Sequence, residues 1–165
     1  MNLTQNIYRL SGLLAAAFLA GISLLIVAQI VARAFGAQIR SADDFAAWSM
    51  AAAIFLALPS TLIRGDHIRV TLIFGAVSNK IQRIMDIAST VIAVGIIGWG
   101  TWFVGEYVYE SYIYHDVSQG IVAVPLWIPQ SVMLIGMFLM EVAFIERFVK
   151  LVCRIPISEQ GRGRH

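Results

Sequence analysis

Charge is scarce in this chain, and its scarcity excludes an ordinary soluble domain. Asp, Glu, Lys and Arg make up 13% of the 165 residues, whereas soluble domains carry roughly 25%. Hydrophobic residues make up 59%. These proportions predict an integral membrane protein, and the small net charge of +2 gives no reason to expect a nucleic-acid partner.

Cysteine and histidine are nearly absent, which removes most routes to a catalytic or cofactor site. Cys153 is the only cysteine, so no disulfide can form within the chain. The three histidines, His67, His115 and His165, lie outside the apolar runs and cannot hold a haem between two spans. The sequence has no cluster with metal-ligand spacing, no glycine-rich phosphate loop and no paired nucleophile and base. We therefore predict no enzyme activity, no cofactor and no metal site.

What the chain has instead is four long apolar runs, at residues 10–32, 45–63, 87–105 and 126–145. Each holds about 20 residues, the length that crosses ~30 Å of hydrocarbon as an α-helix. The first run is too long for a cleavable signal, whose apolar part has about 7 to 15 residues. We predict a single all-α domain of four transmembrane helices over residues 1–155, followed by a disordered cytoplasmic tail over residues 156–165.

The basic residues lie almost entirely on one side of the predicted spans. Of the 12 Lys and Arg residues, only Arg33 and Arg40 fall in a loop on the opposite side. Basic residues near span ends stay in the cytoplasm. Both termini are therefore predicted to face the cytoplasm, and the loops around Gln38 and His115 face outward.

The segment between the second and third runs has a periodicity of its own. This pattern predicts a short amphipathic helix in the inner membrane interface. The alternative is that the third span simply begins early. The apolar residues that recur at three- and four-residue spacing are Val70, Ile73, Phe74, Val77, Ile81 and Ile84. The residues predicted to anchor this side to anionic headgroups are Arg64, His67, Arg69, Lys80 and Arg83.

Glu141 is the clearest ionisable residue inside an apolar run. A charge in hydrocarbon costs at least ~2.5 to 3.5 kcal/mol on insertion scales, so Glu141 should face protein rather than lipid. Gln130 falls on nearly the same helical face. We interpret the two as structural contacts, within the chain or to a partner. The alternative is a self-contained, homo-oligomeric four-span carrier that uses Glu141.

The second and third runs carry further structural signals. Asp43 and Asp44 begin the second run, where a carboxylate favours the positive end of the helix dipole. Trp48 lies one turn after Asp44, so the two share a helical face. That face could contact a partner, or Trp48 could belong to the interfacial aromatic belt.

Pro59 should bend the second helix, with the two hydroxyl residues after it compensating. Small residues in the third run predict close helix packing; they are Gly95, Gly98, Gly100 and Gly105.

Several short motifs, taken in order, resemble a known family. Asp44 and Trp48 precede an apolar span that closes with the sequence RGDHIRV at residues 64–70. Before the fourth run comes VPLWIP at residues 124–129, followed by Gly136 and Met140. Over residues 7–150 this order resembles the DctQ-type small membrane subunit of TRAP (tripartite ATP-independent periplasmic) transporters.

The resemblance implies a non-catalytic subunit of a sodium-coupled importer of small organic acids in the bacterial inner membrane. Its expected partners are a large DctM-type membrane subunit, which it would brace, and a DctP-type periplasmic binding protein, which would dock on the pair. The resemblance leaves the transported acid open. On this interpretation the residues predicted to contact partners are Asp43, Asp44, Trp48, Glu106, Glu110, Asp116, Gln130 and Glu141.

Overall fold

The computed structural model describes residues 3–64 and 79–153, and these residues fold into four α-helices. They are α1 (Leu3–Ala34), α2 (Ala42–Arg64), α3 (Asn79–Ile113) and α4 (Trp127–Val152). Within these described ranges the β-structure amounts to one isolated antiparallel bridge, between Val117 and Pro125. The predicted all-α class is therefore confirmed for this part of the chain.

Three of these helices are long and apolar enough to cross a membrane. The qualifying segments are Thr4–Ala34 in α1, Ala42–Ile63 in α2 and Ile81–Ile113 in α3. The α4 helix covers the fourth predicted span with 26 residues, but it is not one of the three. A fourth membrane crossing therefore stays a prediction.

The α3 helix is longer than its apolar run. It has 35 residues, or about 52 Å at ~1.5 Å per residue, and it extends beyond the run at both ends. Ile81 and Ile84 of the predicted amphipathic segment belong to α3, which agrees with the alternative that this helix begins early. Residues 70–78 of that segment, like the predicted tail at 156–165, lie outside the described residues.

The helices pack in the spatial order α1, α2, α4, α3, so that α2 and α4 occupy the middle. A buried cluster joins them near one end of the bundle. It consists of Tyr8 from α1, Leu62 from α2, and Met140, Ala143 and Phe144 from α4, with Ala93, Val94 and Ile97 of α3 packed against it. The outer helices α1 and α3 each lie mainly against one neighbour, which leaves much of their apolar surface uncovered.

Two close approaches fix the spacing of α2 from its neighbours. A Cβ atom on Gly12 of α1 would lie 3.0 Å from Oγ of Ser60. A Cβ atom on Gly136 of α4 would lie 2.6 Å from both the carbonyl carbon and oxygen of Phe55. Pro59, fully buried inside α2, has no N–H to donate to that Phe55 carbonyl. The α4 backbone therefore meets α2 where the ladder of helical hydrogen bonds is interrupted.

Candidate partner-contact sites

The two loops at one end of the bundle are tied together through Ser41, and we call this the Ser41 end. The backbone N–H of Val122 donates to Oγ of Ser41 at 3.1 Å. Ser41 itself has a φ of 54°, a left-handed conformation that few non-glycine residues adopt. Gly120 lies so close to the Asp44 carboxylate and Oγ of Ser41 that a Cβ atom there would clash with both. The α3–α4 loop thus rests directly on the start of α2.

The α3–α4 loop is itself an ordered hairpin over residues 117–125. The Ser118 hydroxyl donates to the Val122 carbonyl at 2.9 Å and accepts from the Val124 N–H at 3.1 Å. The Ser118 N–H also donates to the Val124 carbonyl at 2.9 Å. At the tip, the Ile121 side chain is 74% exposed. The hairpin therefore presents an apolar tip on a base fixed by hydrogen bonds.

Asp43, Asp44 and Trp48 take three different environments at the Ser41 end. Asp43 is exposed, and its Oδ1 accepts from Nε2 of Gln29 at 3.3 Å, which links α2 to α1. Asp44 is half-buried under Gly120. Trp48 is also half-buried and meets Phe45 edge-on, with ring centroids 5.3 Å apart. Among these three predicted contact residues, Asp43 is the most accessible.

The acids near the end of α3 are exposed. Glu106 and Glu110 are exposed on α3, and Asp116 is exposed just after it. The Asp116 backbone is fixed, because its N–H donates to Ser111 and its carbonyl accepts from Leu126. Glu106 also borders a cleft between α3 and α4.

This α3–α4 cleft is lined by two of the predicted site residues, Glu106 and Glu141. Its volume is about 520 Å³. Glu141 lies against Gly98, where a Cβ atom would be 3.3 Å from Oε1 of Glu141. Oε2 of Glu141 is buried, and no donor in the described part of the chain reaches it. The cleft is lined by Gly98, Thr101, Trp102, Gly105 and Glu106 of α3 and by Phe138 and Glu141 of α4.

Gln130 does not join Glu141 in this cleft. It is half-buried near the start of α4, and its Oε1 atom is buried without a hydrogen-bond donor among the described residues.

Not all of the glycines of α3 that were predicted to allow close helix packing contact another helix. Gly98, Gly100 and Gly105 contact α4 as the packing prediction requires, whereas Gly95 faces open space.

The opposite end of the bundle, which we call the Tyr8 end, holds contacts that the sequence analysis did not identify. The Tyr8 hydroxyl donates to Oε2 of Glu146 at 3.2 Å, and Nζ of Lys150 binds Oε1 of the same carboxylate at 2.6 Å. Nη2 of Arg83 donates to the carbonyl of Leu151 at 3.1 Å, so it caps the last turn of α4. Lys150, one turn after Glu146, was the only local signal for this group.

The other residues predicted to anchor the chain to headgroups cannot be placed by their side chains. His67 and Arg69 lie outside the described residues. Arg64 ends α2 and Lys80 lies in the first turn of α3, but their side chains are not described. Headgroup anchoring by these residues stays a prediction. In the described ranges, no three His, Cys, Asp or Glu side chains come together as a metal site.

Comparison with known proteins assigns the chain to a family. The family described as "Tripartite ATP-independent periplasmic transporters, DctQ component" matches residues 22–154, which is most of the chain and all of α2, α3 and α4. Comparison with curated proteins and with solved structures found no match. The match confirms the resemblance seen in the sequence, and the chain belongs to the DctQ family, the small membrane component of TRAP transporters.

Proposed function

We propose that this chain is a non-catalytic bracing subunit of a sodium-coupled importer of small organic acids. It would sit in the bacterial inner membrane with both termini in the cytoplasm. A large DctM-type subunit would carry the substrate, and a DctP-type periplasmic protein would deliver it. Membership in the DctQ family supports the transporter assignment. Sodium coupling and the substrate class follow from the resemblance to that family, and the bracing and docking roles are argued from the shape and surface of the bundle.

The uncovered apolar faces of α1 and α3 support the bracing role. Leu24 of α1 and Trp102 of α3 are 76% and 74% exposed. Both helices are longer than ~30 Å of hydrocarbon requires. Because α1 packs on α2, α3 packs on α4, and α2 meets α4 at close range through Gly136, the two outer faces belong to one packed unit. Such a unit can widen the stationary part of a transporter against which another domain moves.

The Ser41 end supports a role in docking the periplasmic protein. The hairpin at residues 117–125 is held on the start of α2 by Ser41. Exposed acids lie on the same side, at Glu110 and Asp116. An ordered apolar tip beside acidic groups suits a partner with basic groups around an apolar patch. The predicted orientation places this end in the periplasm.

Reconstitution into vesicles tests the proposal. The purified chain alone should give no uptake of labelled small carboxylates or sulfonates under an inward sodium gradient. The chain together with its large subunit and binding protein should give uptake. Uptake by the chain alone would contradict the bracing role.

One observation favours the second candidate, a self-contained carrier. Glu141 has a buried oxygen without a donor among the described residues, beside an open cleft. If Glu141 is a coupling site, Glu141→Gln should abolish uptake by vesicles that contain only this chain. In a bracing subunit the same substitution should mainly weaken assembly. These outcomes separate the two candidates.

A further inference from the structure

We propose that the α3–α4 cleft receives a basic side chain, Arg or Lys, from a membrane helix of the large transporter subunit, and that Glu141 pairs with it. The proposal rests on the proposed bracing function and names the chemistry of one contact within it. The carrying observation is the combination of the cleft with an unpaired carboxylate oxygen inside the membrane-facing part of the bundle.

Glu141, on α4, lies opposite the middle of α3. Its carboxylate is in contact distance of Gly98, which is near the middle of the apolar segment Ile81–Ile113. Glu141 therefore lies within the hydrocarbon layer if α3 crosses the membrane. An unpaired charge there costs at least ~2.5 to 3.5 kcal/mol on insertion scales. A hydrogen-bond donor or a cation beside the carboxylate would offset this cost.

The chain does not supply that donor among its described residues. No described side chain or backbone N–H reaches Oε2 of Glu141. Thr101, the hydroxyl residue of the lining, donates to the Ile97 carbonyl at 2.8 Å within its own helix. The second charged residue of the lining is Glu106, another acid. The lining is otherwise largely apolar and both of its charged residues are acids, so its complement is a cation on a long apolar stem.

The shape of the cleft fits a side chain that enters from a neighbouring helix. Gly98 and Gly105 leave its floor without side chains, while Trp102 and Phe138 form its walls. Phe138 is 59% exposed. The volume of the cleft, about 520 Å³, lies in the range of a small-molecule site, so the cleft can admit a long side chain and its neighbours. Small residues at a helix surface also allow close approach of another helix in a membrane.

A second copy of this chain cannot provide the cation at this depth. Every Lys and Arg of the sequence lies outside the four apolar runs. A lipid headgroup is also a poor fit, because headgroup charges lie at the membrane surface and phosphate would be repelled by two acids. The remaining source is a basic residue on a helix of a different membrane protein, which in this complex is the large subunit.

Photocrosslinking in the full complex tests the proposal. Benzoylphenylalanine is placed at Phe138 and, separately, at Trp102, and native membranes are irradiated before mass spectrometry of the products. Adducts from both positions should map to one helix of the large subunit, within about one turn of an Arg or Lys. The matched control is Trp99, which is exposed on α3 but does not line the cleft, and it should not give this adduct.

Several outcomes would overturn the proposal. They are adducts with lipid alone, adducts with a second copy of this chain, adducts on a helix without a basic residue, the same adduct from Trp99, and no adduct. If the large subunit still co-purifies with the tagged wild-type chain in any of these cases, the proposed bracing function stands and only the cleft assignment fails. If it does not co-purify, the bracing function fails.

A charge variant provides the second readout. Glu141→Gln should lower recovery of the large subunit on a tagged chain by about 3- to 20-fold, the range expected for a polar contact between membrane helices. Asp86→Asn, an α3 acid outside the cleft and outside the predicted contact residues, should leave recovery unchanged. Glu141→Lys combined with Glu at the crosslinked basic residue should restore recovery. Unchanged recovery with Glu141→Gln would overturn the pairing, since Gln cannot pair with a cation as a charge.

Discussion

At the scale of single residues, Gly136 and Pro59 together set how closely α4 approaches α2. Pro59 removes the donor for the Phe55 carbonyl, and the following hydroxyls do not replace it, because Ser60 donates to Ala57 and Thr61 donates to Leu58. The predicted compensation by these hydroxyls is therefore local and does not reach Phe55. Gly136 places its backbone against that same carbonyl.

Gly136→Ala should destabilise the bundle. The new Cβ atom would lie 2.6 Å from backbone atoms of Phe55, which cannot move away as a side chain can. Overpacking of this kind costs about 1–3 kcal/mol. We expect a lower melting temperature for the purified variant in detergent, measured by loss of the monodisperse peak in size-exclusion chromatography after heating.

The matched control for this prediction is Gly95→Ala. Gly95 faces open space on α3, so the added methyl group meets nothing, and its higher helix propensity should be neutral or stabilising by up to ~1 kcal/mol. Equal melting temperatures for the two variants would contradict the close contact between Gly136 and Phe55.

At the scale of helices, hydropathy predicted where helices lie but not where they end. The run at 87–105 became a helix over Asn79–Ile113, because Glu106 and Glu110 mark the limit of the apolar surface and do not interrupt helical hydrogen bonds. The ends coincide instead with left-handed backbone, at Gly36 after α1 and at His115 after α3. Such conformations terminate helices and have only weak signals in sequence.

The contact residues were predictable only where a local feature of the sequence marks them. Glu141 was identified because a lone acid in an apolar run is conspicuous in one dimension. The closeness of Gly120 to Asp44, and of Gly98 to Glu141, depends on residues far apart in sequence that the packing of helices brings together. The capping of α4 by Arg83 is likewise a long-range contact, which no local spacing encodes.

The hairpin at residues 117–125 should depend on the Ser118 hydroxyl. Ser118→Ala removes the acceptor of the Val124 N–H, so we expect amide exchange at Val124 to rise about 2- to 10-fold, the equivalent of one ordinary hydrogen bond. Hydrogen–deuterium exchange of the purified chain measures it. Ser118→Thr keeps the hydroxyl and should behave as wild type. Faster exchange in both variants, or in neither, would contradict this role.

At the scale of the whole molecule, the chain is a bundle with a joined centre and two uncovered sides. The centre holds α2 and α4, and the sides are α1 and α3. The contacts at the Ser41 end and at the Tyr8 end tie the loops and helix ends of this unit together. This arrangement suits a subunit that acts by binding partner proteins through its outer surfaces.

Charge at the Ser41 end should affect docking of the binding protein. Glu110→Gln combined with Asp116→Asn should lower uptake about 2- to 5-fold at low binding-protein concentration, because exposed acids that steer a basic partner have been removed. The remaining uptake should depend less on salt. Co-purification of the large subunit should not change.

The control for this prediction is Asp86→Asn, which removes one acid of α3 far from the Ser41 end. Asp86 is half-buried near the start of the helix, toward the Tyr8 end. It should leave the dependence of uptake on binding-protein concentration unchanged. Docking at the acidic end would be contradicted if the double variant and wild type showed the same salt dependence.

The central claim is that this chain braces a larger transport subunit, and the mass of the particle it forms tests that claim most directly. The chain is tagged, extracted gently from native membranes and weighed by native mass spectrometry. We predict one copy of this 18.2 kDa chain together with one copy of a much larger membrane protein. A particle whose mass is a simple multiple of 18.2 kDa would contradict the claim and favour the self-contained carrier.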